Sequence, residues 1–113
     1  MSLFEKLSTF SEYWSPKIVS QFNGNDVVVI GIQCEFVWHS GDDTDDFFLV
    51  LDGIVMIETE QGNVTLKPGE PCVVPKGVQH QPTAQEKSHI LLIEPKGTPN
   101  TGDAKTAAQK VKL

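Results

Sequence analysis

Arginine is absent from this 113-residue chain: all nine cations are lysines, set against fifteen carboxylates for a formal charge of -6. A surface of that sign repels a phosphate backbone and lacks the planar fork that grips phosphate bidentately, so nucleic acid is not an expected partner. Cysteine is scarce as well. Cys34 and Cys72 each lie inside an apolar run and read as a pair of reduced, buried thiols. The first residues show neither a basic region nor the apolar stretch of an export signal, and the expectation is a cytoplasmic protein. No apolar run approaches the ~18–20 residues of a membrane span, so no membrane partner is expected either. Also missing are a Gly-x-Ser-x-Gly elbow, a phosphate-cradling glycine loop and a Cys-x-x-Cys pair, which removes the chemistries that those motifs serve.

What the chain does have is short β-rich runs punctuated by turn residues. Ser2-Leu3-Phe4-Glu5 has the form of a capping box, and Leu3, Phe4, Leu7 and Phe10 share a stripe, which predicts a short helix over about 3–10. Ser15-Pro16 closes off helix, and Ile18-Val19 resumes as an extended piece. Val27 to Trp38 is too rich in β-branched and aromatic residues to be anything but strand, with Gly31 as the expected kink. Further strands are expected at Phe47 to Leu51, Ile54 to Thr59, Val64 to Leu66, Cys72 to Val74, a short Val78 to Gln81 piece, and His89 to Glu94, with turns between them. Such spacing without a long helix indicates an all-β sandwich or small barrel. Pro95, Gly97, Pro99 and Gly102 then discourage regular structure. The expected organisation is one domain over 1–102 and a flexible C-terminal tail over 103–113.

The chemistry is expected to begin between Trp38 and Gly53, where His39 ends one apolar run and four aspartates in five residues lead into another that starts on Asp46. Strand alternation puts His39 on one face with Val37, Glu35 and Gln33, and Asp46 on one face with Phe48 and Val50. A hairpin that aligned those faces would bring His39 and Asp46 together, and the turns at Pro68-Gly69 and Pro75-x-Gly77 deliver His80. Two imidazoles and one carboxylate are the minimum for an open divalent-metal site. The competing reading has His39 and His80 as interior histidines bonded to each other or to Asp46. Asp42, Asp43 and Asp45 read as a solvated loop, and His89 as an ordinary strand residue.

From Trp14 to Gly102 the sequence resembles a cupin. The second cupin motif is matched in full by Gly69, Pro75, Gly77 and His80. The first appears altered, with His39, then Gly41 in place of a second histidine, then Asp46 in place of a glutamate, then Gly53. The flanks Glu35-Phe36-Val37-Trp38-His39 and Leu92-Ile93-Glu94-Pro95 are similar to small cupins described loosely as related to mannose-6-phosphate isomerase. The resemblance implies a jelly-roll barrel, the double-stranded β-helix, with a short N-terminal helix. It also implies a divalent metal (Fe, Mn, Zn or Ni) on His39, Asp46 and His80, or none, given Gly41. Gly41, Phe48 and Val50 would line the pocket, with Gly41 enlarging it, and Glu35 is the inward candidate for proton transfer. Two functions follow as expectations: a metal-dependent enzyme acting on a small polar molecule, or a metal-free module that binds a small ligand. A homodimer is expected, because an open barrel has edges to cover and Ile18 to Ile32 offers a strand to a neighbour.

Overall fold

The computed structural model describes residues 1–41, 43–98 and 110–113. Its elements are a helix α1 (Leu3–Leu7) and strands β1 (Lys17–Phe22), β2 (Asn25–Glu35), β3 (Asp46–Asp52), β4 (Val55–Thr59), β5 (Gly62–Leu66), β6 (Pro71–Val74), β7 (His80–Pro95) and β8 (Val111–Lys112). The Ser2 hydroxyl accepts from the Glu5 amide at 3.4 Å, as the capping box requires, but the helix stops at Leu7.

Three antiparallel pairs form before β7 enters: β1 with β2, β3 with β6, and β4 with β5. The sixteen-residue β7 then joins all three. One of its edges runs along β2 from Asn25↔Pro95 to Glu35↔Thr83. The other edge pairs β4 through His80 to Thr83, and then β3 through His89 to Ile93. Two strands expected separately, Val78 to Gln81 and His89 to Glu94, are therefore one. Between them Gln85, Glu86 and Lys87 are exposed and bulge out, so that Ile32 faces Ser88 but Cys34 already faces Ala84.

Alternation along these strands sorts the apolar groups into two layers. Ile30, Ile32, Phe48, Val50, Ile57 and Ile90 fill the interior. Val29 and Leu91 face the other way and pack with Leu7 of α1, with Phe10, Leu49 and Ile93 around them. Ile32, Ile57 and Val50 are wholly inaccessible, and each such side chain contributes roughly 1.5–3 kcal/mol by leaving water.

The end of the chain differs from the expected flexible tail where it is described. The expected tail overlaps residues 99–109, which lie outside the described residues, but Val111 and Lys112 form β8, parallel to β1 at Lys17 and Ile18. Lys110 is drawn in because Asp26 and Glu94, opposite each other on β2 and β7, are both buried. Its ammonium contacts Glu94 Oε1 and lies 3.7 Å from Asp26 Oδ2. Among the described residues no helix is long and apolar enough to cross a membrane.

Candidate functional site: two histidines and an aspartate

The first strand expected, Val27 to Trp38, breaks earlier than its composition suggests. Gly31 does not kink it; Cys34 does, with a left-handed φ of 65°. Cys34 is thereby exposed rather than buried, and Cys72 is half-buried; both are free thiols. The chain after Glu35 is irregular until His39, which pairs with His80 through two backbone hydrogen bonds: His39 N–H to His80 O at 3.0 Å and His80 N–H to His39 O at 2.8 Å. That pairing places the two imidazoles side by side, centroids 4.4 Å apart.

Each ring is oriented in the same way. His39 Nδ1 lies 2.9 Å from the Val37 carbonyl and His80 Nδ1 lies 2.9 Å from the Val78 carbonyl. An Nδ1–H donating there leaves each Nε2 with its lone pair free, the tautomer that a metal ligand needs. Both Nε2 atoms face Asp46, the first residue of β3. Asp46 Oδ2 is 2.8 Å from His80 Nε2 and 4.0 Å from His39 Nε2, and one donor atom from each of the three residues falls within 4.8 Å of the others. His80 is essentially inaccessible, and among the described residues its Nε2 has no aligned hydrogen-bond partner despite the nearby carboxylate. A buried nitrogen left in that state suits a cation held between the three residues.

The electrostatics separate the two imidazoles. Burial pulls His39 below the ordinary histidine value and the neighbouring His80 adds to the effect, while the Val37 carbonyl and Asp46 oppose it. Burial also acts to lower His80, but the Asp46 carboxylate and the Val78 carbonyl outweigh it, and its value is raised.

The other expected site residues fall as follows. Phe48 is buried with its ring 5.7 Å from that of His80, and Val50 is part of the packed core. Gly41 is beside the acid, but it does not enlarge the pocket. A Cβ there would stand 2.6 Å from the Thr44 carbonyl oxygen and 3.7 Å from Asp46 Oδ1, so the loop has folded into the room that a side chain would take. Glu35 is not inward. The left-handed turn at Cys34 and the irregular residues after it break the alternation that linked Glu35 to His39. Glu35 pairs with Thr83 and is exposed on an outer groove with Met56, Glu58 and Thr65, so the inward orientation expected of it is corrected. Asp43 is exposed, Asp45 Oδ1 accepts from the Lys76 amide at 2.9 Å, and Asp42 lies outside the described residues. His89 sits apart, its Nδ1 at 2.8 and 3.0 Å from the Asp52 carboxylate oxygens.

Sequence reasoning missed the two carbonyls that set the tautomers. The signal was present as a repeated Val-x-His, in Val37-Trp38-His39 and Val78-Gln79-His80. It also missed Phe36, whose ring stands 5.5 Å from His39 at 83°.

No protein-family model matches the chain. An uncharacterized protein of Bacillus subtilis, YdbB, is 28% identical over 79 residues, 69% of this chain and 70% of that one. Hydroquinone 1,2-dioxygenase PnpCD, solved with Fe3+, superposes with a TM-score of 0.77 over 89% of this chain and 33% of its own; at 22% identity the likeness is one of fold. A cupin-2 domain containing protein from Shewanella frigidimarina superposes with a TM-score of 0.83 over 85% of this chain and 94% of its own, at 38% identity. With that identity across nearly the whole of a relative, and a β-barrel that carries the second cupin motif intact, the chain belongs to the cupin family.

Proposed function

We propose that the protein is a metal-dependent cupin in which His39, Asp46 and His80 hold one divalent cation, and that it acts on a small molecule bound at that cation. The reading rests on the two matched tautomers, which aim both Nε2 atoms at one carboxylate inside a β-barrel. The ion is Fe, Mn, Zn or Ni, all of which accept nitrogen and carboxylate donors. When bound, it supplies a Lewis acid that polarises an oxygen of the ligand. The Val37 and Val78 carbonyls hold the imidazoles in place, and Phe36 and Phe48 limit water around them.

One contact favours a second reading, a metal-free binding module. Asp46 Oδ2 at 2.8 Å from His80 Nε2 lets a protonated His80 balance the carboxylate without any ion. Metal analysis of untagged protein, purified without chelator, separates the two. Stoichiometric metal that is lost in His80→Ala supports the enzyme. No metal, even after anaerobic reconstitution with Fe(II), leaves only the binding module.

The proposal includes a single cupin domain and a homodimer. The edge of β1 is covered by β8 only at Lys17 and Ile18, and Phe22 beyond it is 64% exposed. Light scattering that returned the monomer mass of 12.4 kDa at micromolar concentration would reject the dimer.

A further inference from the structure

We propose that Asp26 and Glu94 form a binding site for a small primary alkylamine in its ammonium form, and that Lys110 occupies that site as a tethered stand-in. The inference is independent of the metal reading above, and its failure leaves that reading untouched.

The two acids stand where the strand pattern calls for apolar side chains. Asp26 continues the inward face of β2 that carries Ile30 and Ile32, and Glu94 continues that of β7 with Ile90 and Leu92. They face each other in the β2–β7 ladder and are only 2% and 7% exposed. Asp46 extends the row onto β3. One step beyond Phe47↔Ile93, the last pair of β3 with β7, come Asp46 and Glu94, and the Asp46 charge acts on Glu94. Buried acids left without a cation are strongly destabilising, whereas apolar side chains of similar volume at the same positions would carry no such penalty. A pair of acids placed here therefore calls for a cation.

The cation in the structure reaches the site from a lightly held segment. β8 covers β1 through two pairs, the Val111 amide donates to the Pro16 carbonyl at 3.2 Å and the Leu113 amide to the Ile18 carbonyl at 2.9 Å, while Val111, Lys112 and Leu113 are exposed. A segment with so few buried contacts opens at little cost in free energy.

Nor does Lys110 satisfy both acids. Its ammonium contacts Glu94 Oε1 but is 3.7 Å from Asp26 Oδ2, beyond hydrogen-bonding reach. Among the described residues neither Lys110 Nζ nor Glu94 Oε1 makes an aligned hydrogen bond. Asp26 Oδ1 accepts instead from the neutral Gln21 amide at 3.1 Å. An ammonium carries three donors, and one that is not tied to the backbone can turn them onto both carboxylates. The room it needs is the room that the Lys110 side chain, 11% exposed, now fills. A group tethered to the same chain competes as though present at a concentration on the order of millimolar, so a free amine binds far better once Lys110 is shortened.

The test compares n-butylammonium with tetramethylammonium, equal in charge but with no N–H to donate, at pH 7 and matched ionic strength. Calorimetry should show n-butylammonium binding Lys110→Ala at least tenfold tighter than it binds the wild type, and at least tenfold tighter than tetramethylammonium binds the same variant. It should also recover at least half of the melting temperature that Lys110→Ala loses. Where Lys110→Ala does not fold unaided, refolding from urea in n-butylammonium and not in tetramethylammonium is the same result. Adding Glu94→Gln to Lys110→Ala relieves the unpaired acid, and this double variant should bind the amine at least tenfold more weakly than Lys110→Ala. In the wild type, n-butylammonium should displace Lys110 and speed hydrogen exchange of the Val111 and Leu113 amides at least fivefold, with tetramethylammonium inert. An amine that neither binds nor refolds Lys110→Ala better than tetramethylammonium overturns the site. Amine binding to Lys110→Ala with unchanged exchange at Val111 and Leu113 in the wild type makes Lys110 a fixed structural partner, and overturns its part as a stand-in.

Discussion

Restoring the histidine that a complete first cupin motif would carry should weaken this protein rather than improve it. Gly41→His adds a third imidazole, and a fourth donor, on paper. In the structure its Cβ would stand 2.6 Å from the Thr44 carbonyl oxygen, where an ordinary contact is about 3.5 Å or more. The obstacle is backbone, so the loop must move. It is pinned by the Gly77 amide on the Gly41 carbonyl at 2.7 Å and by the Lys76 amide on Asp45 at 2.9 Å. Forcing a side chain into a filled space costs about 1–3 kcal/mol. At about 4 °C per kcal/mol for a domain of this size, the metal-free protein should melt ~4–12 °C lower. Because Asp46 follows closely in the chain, the same displacement moves a donor away from the two imidazoles. The assay pairs circular-dichroism melts in chelator with a Zn(II) titration competed against a chromophoric chelator, with Gly41→Ala as the control that carries the Cβ and no ligand. A Gly41→His protein that melts with the wild type and binds zinc tenfold tighter, about 1.4 kcal/mol, would refute the reasoning.

Further outcomes are expected from the ionisable groups and the core. His80 has a folded value raised above 6.5, so its stabilisation is complete below the unfolded value and is lost as pH rises through the folded one. Urea melts of metal-free protein should show that loss, and Asp46→Asn should remove the slope together with about 1–3 kcal/mol at pH 6; an unchanged slope would contradict the pairing. Burial raises Glu94 above the usual carboxylate value while Lys110 partly offsets it, so stability falls as pH climbs above 4.5. Lys110→Ala should steepen that fall, costing ~3–5 kcal/mol near pH 7 and little at pH 4, and a penalty independent of pH would sink this account. Phe48→Ala should cost ~3–5 kcal/mol in the same melts, since the ring is buried among interior residues and against His80.

How much of this was legible depends on how local each cause is. The Gly69-Pro75-Gly77-His80 run could be read because turn residues carry their own conformational preference, and all three of Gly53, Gly69 and Gly77 do take positive φ. The convergence of His39, Asp46 and His80 followed from the same turns. The misplacement of Glu35 came from one residue, Cys34, in a left-handed conformation that nothing in its side chain announces. The length of β7 was hidden because Pro82 and the polar Gln85-Glu86-Lys87 run imitate a loop, although Pro82 pairs with Ile57 and the polar run is a bulge. Lys110 was unreadable for another reason: the acids that it neutralises, Asp26 and Glu94, lie on strands remote from it in the chain.

The role of β7 as the strand common to three antiparallel pairs bears on the order of events at the ribosome. Until its residues emerge, β1–β2, β3–β6 and β4–β5 are separate two-stranded ribbons, each marginal alone and each with an open edge. The nascent chain therefore carries most of its apolar surface unshielded until β7 arrives, when a single long segment zips the ribbons together.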